Sequence, residues 1–205
     1  MKSCATDLRF LLGLVSAQIL LFLTYQHSSV FWYLYTASIL FMICFAMTGK
    51  KQYQTTDSTL KKIAYGSVSA ILLYALFALG NELFSLLHMK SLTKDVAALY
   101  KMYSPEAFWQ FFVLFVVLIP GEEIFWRGYI QQKLSTAFPA GITVLLSTLL
   151  YAVPMLYSGN TALFIAGIAG GLVWALLYQW KKSLMIVIVS HLLFDFLLLF
   201  LWPLA

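Results

Sequence analysis

The sequence predicts an all-α, polytopic membrane helix bundle of about seven transmembrane helices in a single domain, residues 1–205. Three observations predict it. Of the 205 residues, 62% are hydrophobic and 10% charged, and the mean hydropathy is +0.87; a soluble domain is about 45–50% apolar and about 25% charged. The apolar residues are gathered into runs close to the ~20 residues that a helix needs to cross hydrocarbon. The breaks between runs are short and polar. Together these exclude a soluble fold and leave no room for an appended soluble catalytic module.

In chain order the segments are about 8–25, 30–48, 63–88, 107–133, 140–157, 161–180 and 183–201. The connections are Gln26 to Ser29, a lysine-rich stretch from Gly49 to Lys62, Met89 to Glu106, and Ser158-Gly159-Asn160. The third and fourth segments exceed the spanning length, which predicts tilt or interfacial turns at their ends. Trp32, Trp109, Trp180 and Trp202 fall near span ends, where interfacial aromatics belong. With an odd number of spans, one side receives Lys2, Arg9, Lys50, Lys51, Lys61, Lys62, Arg127, Lys133, Lys181 and Lys182, and the other Lys90, Lys94 and Lys101. The positive-inside rule then predicts a cytoplasmic N-terminus and an outside C-terminus, with or without the deeper Arg127.

This distribution also accounts for the net charge of +5 and the pI near 9.1, so nucleic acid is not expected as a partner. Cys4 and Cys44 have neither metal-site spacing nor a disulfide framework. Cys4 comes too early to follow a signal-peptide core, and no cleaved signal is expected.

Four carboxylates, Glu82, Glu122, Glu123 and Asp195, lie inside the apolar segments, joined by Arg127 and His191. A charge at the bilayer centre costs ~2.5–3.5 kcal/mol even on insertion scales, so these groups must face inward, pair, or bind protons. The densest cluster is Pro120-Gly121-Glu122-Glu123 followed by Arg127-Gly128-Tyr129. Glu123 and Arg127 are four apart and share a helical face in the order that favours an ion pair, while Glu122 points about 100° away. One carboxylate is thus neutralised and the other left free. Pro120 and Gly121 predict a kink just before the pair, and a free carboxylate in a dry pocket suits proton transfer.

The last segment carries Ser190-His191-Leu192-Leu193-Phe194-Asp195, with His191 and Asp195 again four apart. Asp195 is expected to accept a hydrogen bond from one ring nitrogen of His191, leaving the other for a proton or a developing oxyanion. A buried histidine tied to its own helix is the commoner meaning of this spacing; the glutamates in the same bundle reverse that preference. Gly167 and Gly171 form a small-xxx-small face for close helix packing.

These residues resemble the CAAX protease and bacteriocin-processing family, also called Abi or CPBP proteins, which are multi-span intramembrane glutamic endopeptidases once described as metalloproteases. The resemblance covers roughly residues 105 to 201. It rests on Glu122-Glu123-x-x-x-Arg127 with Gly128-Tyr129, the glycine-rich segment Phe164 to Tyr178, and His191-x-x-x-Asp195. It implies Glu122 as the general base that activates water, Glu123 and Arg127 as a supporting pair, and His191 with Asp195 as the oxyanion-stabilising pair. It further implies a peptide or protein substrate in or near the bilayer, and a plasma-membrane location in a bacterium.

One element departs from the family. Where it has an aromatic residue, three others and a histidine, this chain reads Tyr151-Ala152-Val153-Pro154-Met155. A thioether takes no proton and donates no hydrogen bond. One histidine with carboxylates is also a poor zinc set, so no metal and no other cofactor are expected.

Three readings follow. The first is an intramembrane endopeptidase acting through Glu122. The second, motivated by Met155, is a weakened or inactive relative that serves as a membrane-binding, regulatory or bacteriocin-immunity protein. The third, a proton- or ion-coupled transporter relaying through Glu82, Glu122, Glu123 and Asp195, ranks last because the interrupted half-repeats typical of many transporters are missing from the sequence.

Overall fold

Helices follow the apolar runs because a peptide group in hydrocarbon must satisfy its hydrogen bonds within its own segment. A computed structural model describes residues 7–47 and 57–204; Lys2, Cys4, Lys50 and Lys51 lie outside the described residues. In order they form α1 (Leu8–Gln26), α2 (Phe31–Met47), α3 (Thr59–Leu86), α4 (Lys90–Tyr103), α5 (Phe108–Leu134), α6 (Ala140–Ser158), α7 (Thr161–Lys181) and α8 (Leu184–Leu201). All except α4 belong to segments long and apolar enough to cross a membrane, and those seven segments match the predicted spans closely. The chain is an integral membrane protein with an all-α bundle.

The connection from Met89 to Glu106 differs from its reading as a polar break, since most of it is α4. Its three lysines and Asp95 depress the average hydropathy, yet Leu92, Val96, Leu99, Tyr100 and Tyr103 recur at helical spacing on one face. That face is partly buried, while Ser91, Lys94, Ala98 and Lys101 are exposed. The helix is too short and too polar to span. It is moored to the start of α7: the Asp95 carboxylate accepts from the Thr161 N–H at 3.0 Å, and Asn160 Nδ2 donates to the Asp95 carbonyl at 2.9 Å. An anion at a helix N-terminus is favourably placed.

Around this, α1 and α2 form a hairpin, α3 runs along α8, and α6 runs along α7, with α5 between α2 and α8. At the start of α1, Asp7 caps the helix by accepting from the Phe10 N–H. The Lys133 ammonium beside it and that N–H hold the Asp7 carboxyl below the ordinary carboxylate range. This bond ties the end of α5 to the start of α1.

The kink predicted at Pro120 takes a different form. Pro120 has no N–H to give to its helix, and the Ile119 N–H reaches back five residues to the Leu114 carbonyl, so 114–118 and 124–131 are wide π turns on either side of Ile119–Glu123. Wide turns of this kind rotate the following side chains and recur at functional sites. Gly121 sets the neighbour: a Cβ there would collide with Ile39 and Ile43 of α2. Its absence lets α2 close onto α5 one residue before Glu122.

The closest crossing of α3 and α8 depends on Gly66. A Cβ there would lie 2.8 Å from the Ile186 carbonyl oxygen and 2.7 Å from Val189 Cγ1. Backbone cannot step aside as a flexible side chain can, so Gly66→Ala is expected to destabilise by roughly 1–3 kcal/mol, the usual cost of overpacking. Gly80 on the same helix has no neighbour within 4 Å of such a Cβ, and Gly80→Ala should be neutral or stabilising. Thermal unfolding of the two variants in detergent checks this, and equal midpoints would refute the close-approach argument.

Candidate active site

The site is built where α5, α6, α7 and α8 converge, with α2 closing one side. Glu122 is 7% exposed and faces a cavity of about 480 Å³, whose wall includes Tyr35, Phe77, Tyr103, Trp174 and Leu198. His191 and Asp195 line the same cavity, so the two distant motifs do meet in one chamber. The wall is mostly apolar and aromatic, as ligand pockets generally are.

Glu122 does not stand free. Tyr35 Oη of α2 donates to its Oε1, and Tyr151 Oη of α6 donates to its Oε2 at 3.0 Å. A carboxylate offers about four lone-pair positions, so one on each oxygen is still open toward the cavity. Beside these groups lies a separate void of about 10 Å³ bounded by Glu122, Tyr35, Tyr151 and Met155. That is the lower edge of the space one water requires.

Glu123 is fully buried and has the opposite role. Arg127 Nε lies 3.3 Å from its Oε2, and Nη1 donates to Oε1 at 3.4 Å. The guanidinium is itself fully buried. It donates from Nη2 to the Gly171 carbonyl at 3.2 Å and lies over the Tyr151 ring at 4.3 Å. A buried cation needs this many partners, because removing any one leaves charge without solvation. One turn further along α5, Gln131 Nε2 donates to the Ala175 carbonyl at 2.8 Å and its Oε1 accepts from Ser147 Oγ at 3.2 Å. The wide turns of α5 thus sew it to α7 by side chain-to-carbonyl bonds.

The partner of His191 differs from expectation. Nδ1 is 2.7 Å from Glu123 Oε1, whereas Nε2 lies 3.8 Å from Asp195 Oδ2, beyond a hydrogen bond. A carboxylate paired with arginine only accepts, so Nδ1 carries the hydrogen and Nε2 is turned toward Asp195. The ring is stacked on Trp174 at 3.7 Å and 23°, and Trp174 Nε1 donates to Ser190 Oγ at 3.3 Å. Glu123 therefore links the two motifs, since it takes both Arg127 and His191.

The glycine face of α7 receives α6. A Cβ at Gly167 would collide with the Met155 thioether, and one at Gly171 would lie 2.9 Å from the Tyr151 ring. Close packing there carries Tyr151 and Met155 to the cavity. Glu82 is exposed on α3 and does not line the cavity, so the four-carboxylate relay is not assembled. His27 is bonded to the Leu23 carbonyl and His88 is exposed; neither lines the cavity. Among the described residues no three of His, Cys, Asp and Glu converge as a metal-holding set.

Sequence reasoning missed Tyr35, Trp174 and the α4 wall. A usable signal existed for Tyr35, because a phenol inside an apolar span needs a polar partner. On α4, burial pushes the Tyr100 and Tyr103 phenols above the ordinary tyrosine range, so both remain protonated; Tyr100 Oη donates to the Leu198 carbonyl at 3.0 Å and accepts from the Leu204 N–H.

Residues 104–197 match the family model described as type II CAAX prenyl endopeptidase Rce1-like. That segment is similar to the Rce1-like family. The match covers α5 to most of α8 and so includes Glu122, Glu123, Arg127, His191 and Asp195, while Tyr35 and the rest of α1 to α3 lie before it. No curated protein and no solved structure matches the chain. The match likens this segment, at the level of the family, to CAAX-protease-like intramembrane endopeptidases.

Proposed function

We propose that the protein is an intramembrane endopeptidase in which Glu122 activates water against a peptide bond held in the cavity. The observation that supports this most is the opening of Glu122 and His191 into one apolar chamber, each fixed from behind by other groups. Glu122 takes a proton from water and the hydroxide oxygen bonds to the carbonyl carbon. His191, whose Nε2 lies 3.8 Å from Asp195 Oδ2, donates through that nitrogen to the developing oxyanion as an imidazolium, whose charge Glu123, Asp195 and the Trp174 face compensate. Glu122 then returns the proton to the leaving nitrogen as the C–N bond breaks. Asp195 orients or balances the imidazolium from 3.8 Å. The substrate reaches the cavity from the bilayer, and the chain is oriented with its N-terminus in the cytoplasm.

The test is cleavage by purified protein in liposomes of two probes, an internally quenched farnesylated CAAX peptide and a non-prenylated membrane-spanning peptide. Product formation that Glu122→Gln eliminates supports the reading. Cleavage of neither probe by the wild type, or equal cleavage by the variant, overturns it.

Met155 favours a second reading, an inactive relative that binds a membrane partner. In that case Glu122→Gln and His191→Ala would retain the cellular phenotype while proteolysis stays undetectable.

A further inference from the structure

We infer that Tyr35, together with Tyr151, is a positioning residue that sets the Glu122 carboxylate for water activation; this rests on the endopeptidase reading. The two phenols donate to different carboxylate oxygens, Tyr35 to Oε1 and Tyr151 to Oε2. Two donors on opposite oxygens fix the plane of the carboxylate and leave one lone-pair position on each oxygen, all that a base needs to receive a proton. The other candidates for this task fall away. Arg127 is spent on Glu123, Gly171 and Tyr151, His191 is spent on Glu123, and Met155, which borders the same small void, has only a thioether.

The placement of Tyr35 has a structural cause. It lies one turn before Ile39, whose side chain occupies the space over Gly121. The close approach of α2 and α5 therefore delivers the Tyr35 hydroxyl to the next residue, Glu122. Phe31 flanks it, with ring centres 5.2 Å apart, and is itself backed by Tyr25 at 5.9 Å. This aromatic packing fixes the ring, so the hydroxyl arrives pre-aimed. Positioning of this sort acts on the chemical step and not on the binding of a substrate that fills the larger cavity.

The experiment compares kcat and KM for the wild type, Glu122→Gln, Tyr35→Phe and Tyr151→Phe in liposomes, using the farnesylated and membrane-spanning probes. Tyr35→Phe is expected to lower kcat roughly ten- to a hundredfold, the effect of losing one hydrogen bond to a charged group, with KM changed by less than about twofold. Site-specific 3,5-difluorotyrosine at position 35, which keeps the ring and a hydroxyl donor, should recover most of the loss. If the phenylalanine form at position 35 does not accumulate, Tyr151→Phe, which removes the other donor to the same carboxylate, is the reporting variant: a kcat lowered at constant KM supports the role, and wild-type values for both overturn it. Met155→His in the Tyr35→Phe background places an imidazole beside the same void and should return part of kcat.

A wild-type kcat in Tyr35→Phe, while Glu122→Gln is dead, overturns the positioning role and leaves the endopeptidase reading intact. A rise in KM with kcat unchanged overturns it equally, since it would make Tyr35 a binding residue. Failure of the wild type to cleave either probe removes the endopeptidase reading and the positioning role together.

Discussion

Glu122→Gln is expected to abolish cleavage while the protein still folds, inserts and accumulates normally. Glutamine has nearly the shape of glutamate, and the carboxylate it replaces is uncharged-compatible in its surroundings: the two groups that touch it are hydroxyls, Tyr35 and Tyr151, which donate or accept as required. Neither Arg127 nor His191 depends on Glu122 for its bonds. The packing beside Gly121 is also untouched. What disappears is a group able to hold a proton between attack on the carbonyl and departure of the amine. A positioned general base contributes about 10²–10⁴-fold, so turnover of the variant should fall by at least that factor. The check is single-turnover cleavage of the liposome-borne probes beside a thermal unfolding scan. An unaltered scan with lost cleavage localises the effect to chemistry. Full cleavage would instead mean that some other group takes the proton.

The spans were legible because their determinant is local. Apolar length alone specifies a helix in hydrocarbon, where an open backbone has no alternative partner, and segments such as 161–180 and Thr161–Lys181 differ only at the end. The helix α4 escaped because an amphipathic helix is half polar, and averaged hydropathy erases the face that carries Leu99, Tyr100 and Tyr103. Within the site the same division holds. Glu123 with Arg127 is an i,i+4 relation, readable from helical periodicity, and the structure has it. The bond from Glu123 to His191 joins residues 68 apart, and no period announces it. The sequence therefore pointed to Asp195, the acid on the same helix, while the fold brings a carboxylate from α5 closer. Tyr35 was hidden for a related reason: its partner is 87 residues away, and only the bare surface of Gly121 lets the two helices meet.

Replacement of Glu123 should have the largest effect on stability. Arg127 is 0% exposed and lies in the centre of the bundle, where Glu123 is the only acidic group paired with it among the described residues. In Glu123→Ala the guanidinium retains the Gly171 carbonyl and the Tyr151 ring, neither of which carries a compensating charge. Stranding a buried ion in this way costs roughly 3–5 kcal/mol. His191 loses its 2.7 Å partner in the same step, so the ring is held by Trp174 stacking and the distant Asp195 alone. The variant should therefore unfold at a markedly lower temperature and lose activity in whatever fraction survives. Removing the cation as well, in Glu123→Ala with Arg127→Met, is expected to recover much of the stability but not the activity, because the uncompensated charge is gone while His191 is still unanchored. Thermal midpoints in detergent for the two single variants and the double form close the cycle. Additive losses would show that Glu123 and Arg127 act independently; recovery in the double variant would show that the loss in Glu123→Ala comes from the stranded guanidinium.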